Sequence, residues 1–111
     1  MAIDSTIFDQ LKNDMEDSFL EVTKSILTSI ASNLSDLDQR SEKTSTDDLS
    51  RYVHSIKSPA ACIGATNLAT MANKIENDLR QNKVQNLDKD IEELRLQFTL
   101  AKDKIKTLIS Q

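Results

Sequence analysis

Seven apolar residues, Leu87, Ile91, Leu94, Phe98, Ala101, Ile105 and Leu108, recur at strict four-three spacing near the C-terminal end of the chain. That period matches one face of an α-helix and no face of a strand, whose side chains alternate every second residue. A helix carrying such a seam must bury it against other helices, and the rest of the chain supplies them. Phe19, Val22, Ile26, Ile30, Asn33/Leu34 and Leu37 mark a second seam. Leu49, Val53, Ile56, Ala60 and Ile63 mark a third, and Leu68, Met71, Ala72, Ile75 and Leu79 a fourth. A shorter apolar set, Ile3, Ile7, Phe8 and Leu11, precedes them. The spacing predicts helices over about 4–13, 16–40, 46–63, 66–81 and 87–109. Ser45 with Asp48 has the spacing of a capping box, and Gly64 falls where a helix stop is expected. Polar breaks at 41–45 and 82–86 let the long helices fold back on one another rather than extend as a coiled coil. The expected fold is all-α: an antiparallel four-helix bundle with a short additional N-terminal helix, one domain over residues 1–111.

Composition closes off other classes. One Gly and one Pro in 111 residues leave little turn chemistry for hairpins. A net charge of −4, with no basic run or interleaved aromatic residues, excludes nucleic acid as the expected partner. No apolar run reaches membrane-spanning length, and the N-terminus lacks a signal-peptide pattern, so a cytoplasmic location is expected. One Cys and one His cannot assemble a Cys/His zinc site or an internal disulfide. No metal and no cofactor are expected on this chain.

The single histidine, His54, stands outside the third seam. At about 100° per residue its Cα–Cβ direction lies about 140° from the seam's centre, so a packed core role is a poor account of it. A solvated bystander and a solvent-facing reactive imidazole are the two remaining readings. Around it lie Asp47, Ser50, Arg51, Lys57, Ser58 and Ala61, one or two turns away. Arg51 and Lys57 could both pair with an anion placed on the ring. Ser50, Ser58 and Ala61 are small and leave it unshielded for a docking partner. Basic neighbours disfavour the imidazolium and favour the neutral, nucleophilic ring.

At these residues the chain resembles the histidine-containing phosphotransfer (HPt) domains. His54-x-x-Lys57, Ala60, Ala61, Ile63-Gly64-Ala65, Leu68 and Ile75-Glu76 follow that family's pattern over 23 residues, and the helix order agrees over nearly the whole chain. The resemblance implies a phosphorelay intermediate. His54 would take a phosphoryl group from a receiver-domain aspartate, through Nε2, and pass it to a response-regulator aspartate. It also implies that Lys57 offsets charge on the phosphoryl oxygens, with Arg51 a weaker candidate for the same role. The implied partners are response-regulator receiver domains and a hybrid sensor histidine kinase, with the divalent metal on the receiver and this domain a monomer. No glycine-rich phosphate loop is present, so autonomous kinase activity from ATP is not expected. A free-standing protein and the last domain of a hybrid sensor kinase both remain open. The alternative is a helical binding or scaffold module that has kept the bundle without phosphotransfer.

Two residues depart from the pattern. Ser58 stands where the family usually has Gly, which still leaves a low surface. Pro59 removes an amide inside the histidine helix and clashes with the Ser55 carbonyl. A kink near 55–59, or an early end to the helix, is therefore expected.

Overall fold

The computed structural model describes residues 2–110; Met1 and Gln111, the two ends of the expected 1–111 domain, lie outside the described residues. Five α-helices follow in order: α1 Ser5–Met15, α2 Phe19–Asp38, α3 Thr46–Cys62, α4 Thr66–Arg80 and α5 Leu87–Ile109. A single 3-10 turn, Glu16–Ser18, separates α1 from α2. Helices α2 to α5 form the bundle and α1 lies against one end of it. Arg40 pairs with Asp88 and Arg95 with Asp38, so α5 runs back along α2 in the opposite direction.

The starts of α1, α3 and α5 are capped by side chains. The Asp4 carboxylate accepts from the Thr6 and Ile7 amides, Ser45 Oγ from the Asp48 amide, and the Asn86 side-chain carbonyl from the Lys89 amide. These contacts satisfy amides that a helix leaves unpaired at its first turn. The expected second helix from Glu16 does not form as one piece. Glu16 takes a positive φ of 48° and ends α1, and the chain restarts at Phe19. The break folds α1 back so that Phe8 meets Phe19 edge to face, with ring centroids 5.2 Å apart.

The core holds the seams at their closest packing. Ile30, Leu37, Val53, Ile56, Ile63, Leu68, Ile75, Leu94 and Ile105 are fully buried, each worth about 1.5–3 kcal/mol in transfer terms. The α2 seam is rotated from expectation. Val22 and Ile26 are half-buried, and Thr23 is buried instead, its hydroxyl without a hydrogen-bond partner among the described residues.

Pro59 does not end α3 early. The helix runs past it to Cys62. The missing amide leaves only the Ser55 carbonyl without its usual partner, and Ser55 is exposed to water. The last turn is closed tightly: Gly64 N donates to Ala61 O at 3.1 Å and Ala65 N to Ala60 O at 2.8 Å. This is a Schellman closure, and Gly64 fills its left-handed position at φ 83°. A Cβ at Gly64 would also lie 2.7 Å from the Asp4 carbonyl oxygen. Asp4 N donates to Gly64 O at 2.7 Å, tying the start of α1 to the end of the histidine helix. No helix of the described residues is long and apolar enough to cross a membrane.

Candidate functional site

His54 projects from the middle of α3 with its side chain 59% exposed. Its Nδ1 lies 2.9 Å from Oε2 of Glu76, which reaches across from α4. Glu76 is the centre of the site. Its other oxygen, Oε1, accepts from Lys57 Nζ at 2.9 Å. Arg80, one turn further along α4, donates to Oε2 through Nε at 3.1 Å and Nη2 at 2.8 Å.

Glu76 itself is buried. Burial pushes its carboxyl pKa up, but the hydrogen bonds from Lys57, Arg80 and His54 more than offset this and hold it down at about 2. The group is therefore a carboxylate at neutral pH and can only accept. That fixes the neutral ring's tautomer: Nδ1 carries the hydrogen donated to Glu76, and Nε2 is left with its lone pair. Among the described residues nothing hydrogen-bonds to Nε2. The arrangement is that of a nucleophile oriented by a carboxylate behind it.

Helix geometry accounts for which side chains meet. From the centre of the α3 seam, Lys57 and Ser50 lie about 80° and 100° round, on the flank turned to α4, and His54 lies at its rim. Lys57 is accordingly only 30% exposed and engaged with Glu76. Ser50 was expected on the docking surface; it is buried, because that flank is covered one turn before the histidine. Arg51 points about 200° round, away from the site. It pairs with Asp48 at 3.0 Å and lies 5.6 Å from the Tyr52 ring centre. Arg51, the weaker candidate for offsetting phosphoryl charge, is turned away from the ring, and the second basic side chain at the cluster is Arg80. Ser58 and Ala61 are exposed, as a docking surface around the ring requires. Gly64 and Pro59 have the structural places described above.

The reading of basic neighbours alone is also corrected: the charge closest to the ring is the Glu76 carboxylate. Sequence reasoning quoted Ile75-Glu76 within the motif but gave Glu76 no role, and it did not single out Arg80. The available signal was position. Glu76 follows Ile75 on the flank of the α4 seam, where an unpaired carboxylate would be costly.

The family profile described as the Hpt domain matches residues 7–106. The chain belongs to the Hpt domain family. It is thus a phosphorelay intermediate, with receiver domains and kinases as the kind of partner that this Hpt domain serves. Among curated proteins, none matches it significantly in sequence. Among solved structures it is similar to histidine-containing phosphotransfer protein B (HptB) from Pseudomonas aeruginosa PAO1, with a TM-score of 0.88 and 21% identity over 96% of this chain and 92% of that one. The likeness confirms the bundle fold. Among the described residues of this Hpt domain, no group of three or more His, Cys, Asp or Glu is placed to hold a metal ion.

Proposed function

We propose that His54 is the phosphoryl carrier of this phosphorelay intermediate. The observation that supports this most directly is the exposed imidazole whose Nδ1 is tied to the Glu76 carboxylate. With Nδ1–H donated inward, the Nε2 lone pair attacks phosphorus in line as the bond to the receiver's aspartyl oxygen breaks. That oxygen keeps the electron pair and leaves as a carboxylate. In onward transfer the Nε2–P bond breaks, its electrons return to the ring, and an aspartyl oxygen of the next receiver takes the phosphoryl group. The divalent metal belongs to the receiver, and this chain brings no cofactor of its own. Lys57, with three donor hydrogens and one of them on Glu76, is the cation of this domain that shields the phosphoryl oxygens. Arg51 takes no part. Docking centres on Ser58 and Ala61 beside the ring, and the domain acts as a monomer in the cytoplasm.

The test is incubation with a phosphorylated cognate receiver. The parent should gain one acid-labile, base-stable phosphoryl group. His54→Gln should gain none while keeping its helicity. Equal labelling of the variant would remove His54 from the role. Sedimentation of the purified protein checks the monomer, and calorimetry with Ser58→Arg checks the docking face, where reduced receiver affinity is expected.

A further inference from the structure

We propose that Arg80 is a positioning residue that sets how strongly Glu76 holds the Nδ1 proton of His54. The inference rests on the reading of His54 as the phosphoryl carrier. Arg80 places two donors on Oε2, the same oxygen that faces Nδ1. A carboxylate oxygen already accepting two charge-assisted hydrogen bonds is a weaker acceptor for a third. Lys57 holds the other oxygen and does not compete directly for the imidazole hydrogen. Arg80 is 59% exposed and packs into no core, so it acts through the Glu76 carboxylate rather than by packing.

The charged groups that meet at this point come from two helices: Lys57 and His54 from α3, Glu76 and Arg80 from α4. Among the described residues, α1, α2 and α5 add no hydrogen bond or ion pair to the cluster. The consequence falls on the phosphorylated ring. When Nε2 carries phosphorus, a proton held on Nδ1 makes the ring a cation and a better leaving group. The Nε2–P bond then breaks more readily, its electron pair returning to the ring while Nδ1 keeps its proton. By loading Oε2, Arg80 weakens that hold and prolongs the phosphohistidine until a receiver arrives.

The experiment begins with the unphosphorylated protein. Nitrogen NMR of ring-labelled His54 is followed against pH in the parent, Arg80→Ala, Glu76→Gln and the double variant. Arg80→Ala should move the His54 titration midpoint to higher pH. The same substitution made on Glu76→Gln should move it by less than half as much. Equal movement in both backgrounds, or none in Arg80→Ala, overturns the proposal, since the guanidinium would then act directly on the ring or not at all. Should Glu76→Gln fail to fold, Arg80→Lys decides. Lysine keeps the charge but offers Oε2 one donor in place of two, so a midpoint above the parent's supports the proposal and one equal to it overturns it. In the phosphorylated protein, Arg80→Ala should shorten the phosphohistidine half-life roughly threefold to tenfold, the scale of one solvent-diluted charge-assisted hydrogen bond. An unchanged or longer half-life also overturns it. The titration needs no phosphoryl group, so it stands or fails separately from His54 as carrier.

Discussion

Nδ1 of His54, on α3, lies 2.9 Å from Oε2 of Glu76, on α4. The bond joins the two helices that pack most closely in the bundle. It turns an otherwise exposed imidazole into an oriented one and leaves Nε2 on the outer side of the ring. The carboxylate can do this because it is itself held from two sides, by Lys57 and Arg80. A buried carboxylate with one partner would be a liability; with three it is a fixed anionic post.

The first prediction concerns acid. Glu76 is held at about 2 in the folded chain, against an ordinary value of 4.5. A carboxyl depressed in this way stabilises the fold fully above pH 4.5 and loses that contribution as the pH falls through about 2. The difference corresponds to about 3 kcal/mol by linkage. Denaturant melts from pH 5 down to pH 2 should therefore show the parent losing about that much more stability than Glu76→Gln. Parallel pH profiles for the two proteins would show that the carboxylate is not held down.

The second concerns Lys57. Sequence position alone marks it as an exposed lysine whose loss leaves melting nearly unchanged. Its contact with a buried carboxylate revises that expectation. Lys57→Ala should cost about 1–3 kcal/mol, because Glu76 Oε1 is left without its partner. It should also slow phosphotransfer. Arg51→Ala should change stability by less than about 0.5 kcal/mol and leave transfer alone, since its pair with Asp48 is on the surface. Urea melts and transfer time courses on both variants check this. A Lys57→Ala protein as stable as the parent would mean that water replaces the ammonium at no cost.

Much of this was legible in the sequence, for identifiable reasons. The α5 seam is regular over all seven positions, and the helix begins at Leu87 and ends at Ile109 as read. Ser45, Asp48 and Gly64 carry side-chain or backbone chemistry that acts within a turn or two, so the ends of α3 could be placed from local residues. What spacing could not give was the rotation of one helix against another. Thr23 lies one position from Val22, and about 100° of helix rotation decides which of the two is covered. Ser50 and Arg51 are likewise neighbours in sequence that fall on opposite sides of the rim facing α4. Glu76 and Arg80 entered the site from a different helix, 22 and 26 residues after His54, where the apolar periodicity of α3 says nothing about them.

The third prediction concerns Thr23, which is buried on α2 with a hydroxyl that has no partner among the described residues. Valine has nearly the same shape and no polar atom. Thr23→Val should therefore raise stability by about 1 kcal/mol, the usual cost of an unsatisfied buried hydroxyl. Thermal or denaturant melts decide it. A loss of stability would reveal a hydrogen bond to an internal water.

The last prediction concerns Pro59. The helix around it is continuous from Thr46 to Cys62, so the proline is carried inside α3 rather than terminating it. Its cost is the missing amide opposite the Ser55 carbonyl, and that carbonyl belongs to an exposed residue that water can reach. Ser55 spends its hydroxyl on the Arg51 carbonyl at 2.9 Å, so it does not close the gap itself. Restoring the amide should strengthen the helix, while the looser unfolded chain of an alanine variant takes some of the gain back. Pro59→Ala should therefore be more stable than the parent by roughly 1–3 kcal/mol, below or at the full interior-proline penalty. The transfer rate should not change, because the ring of His54 is aimed by Glu76 from α4 and not by the turn that follows it. Denaturant melts and transfer time courses on the two proteins separate the two halves. A less stable Pro59→Ala would mean that the packing of α3 is built around the proline ring, and a slower one that the proline helps to aim His54.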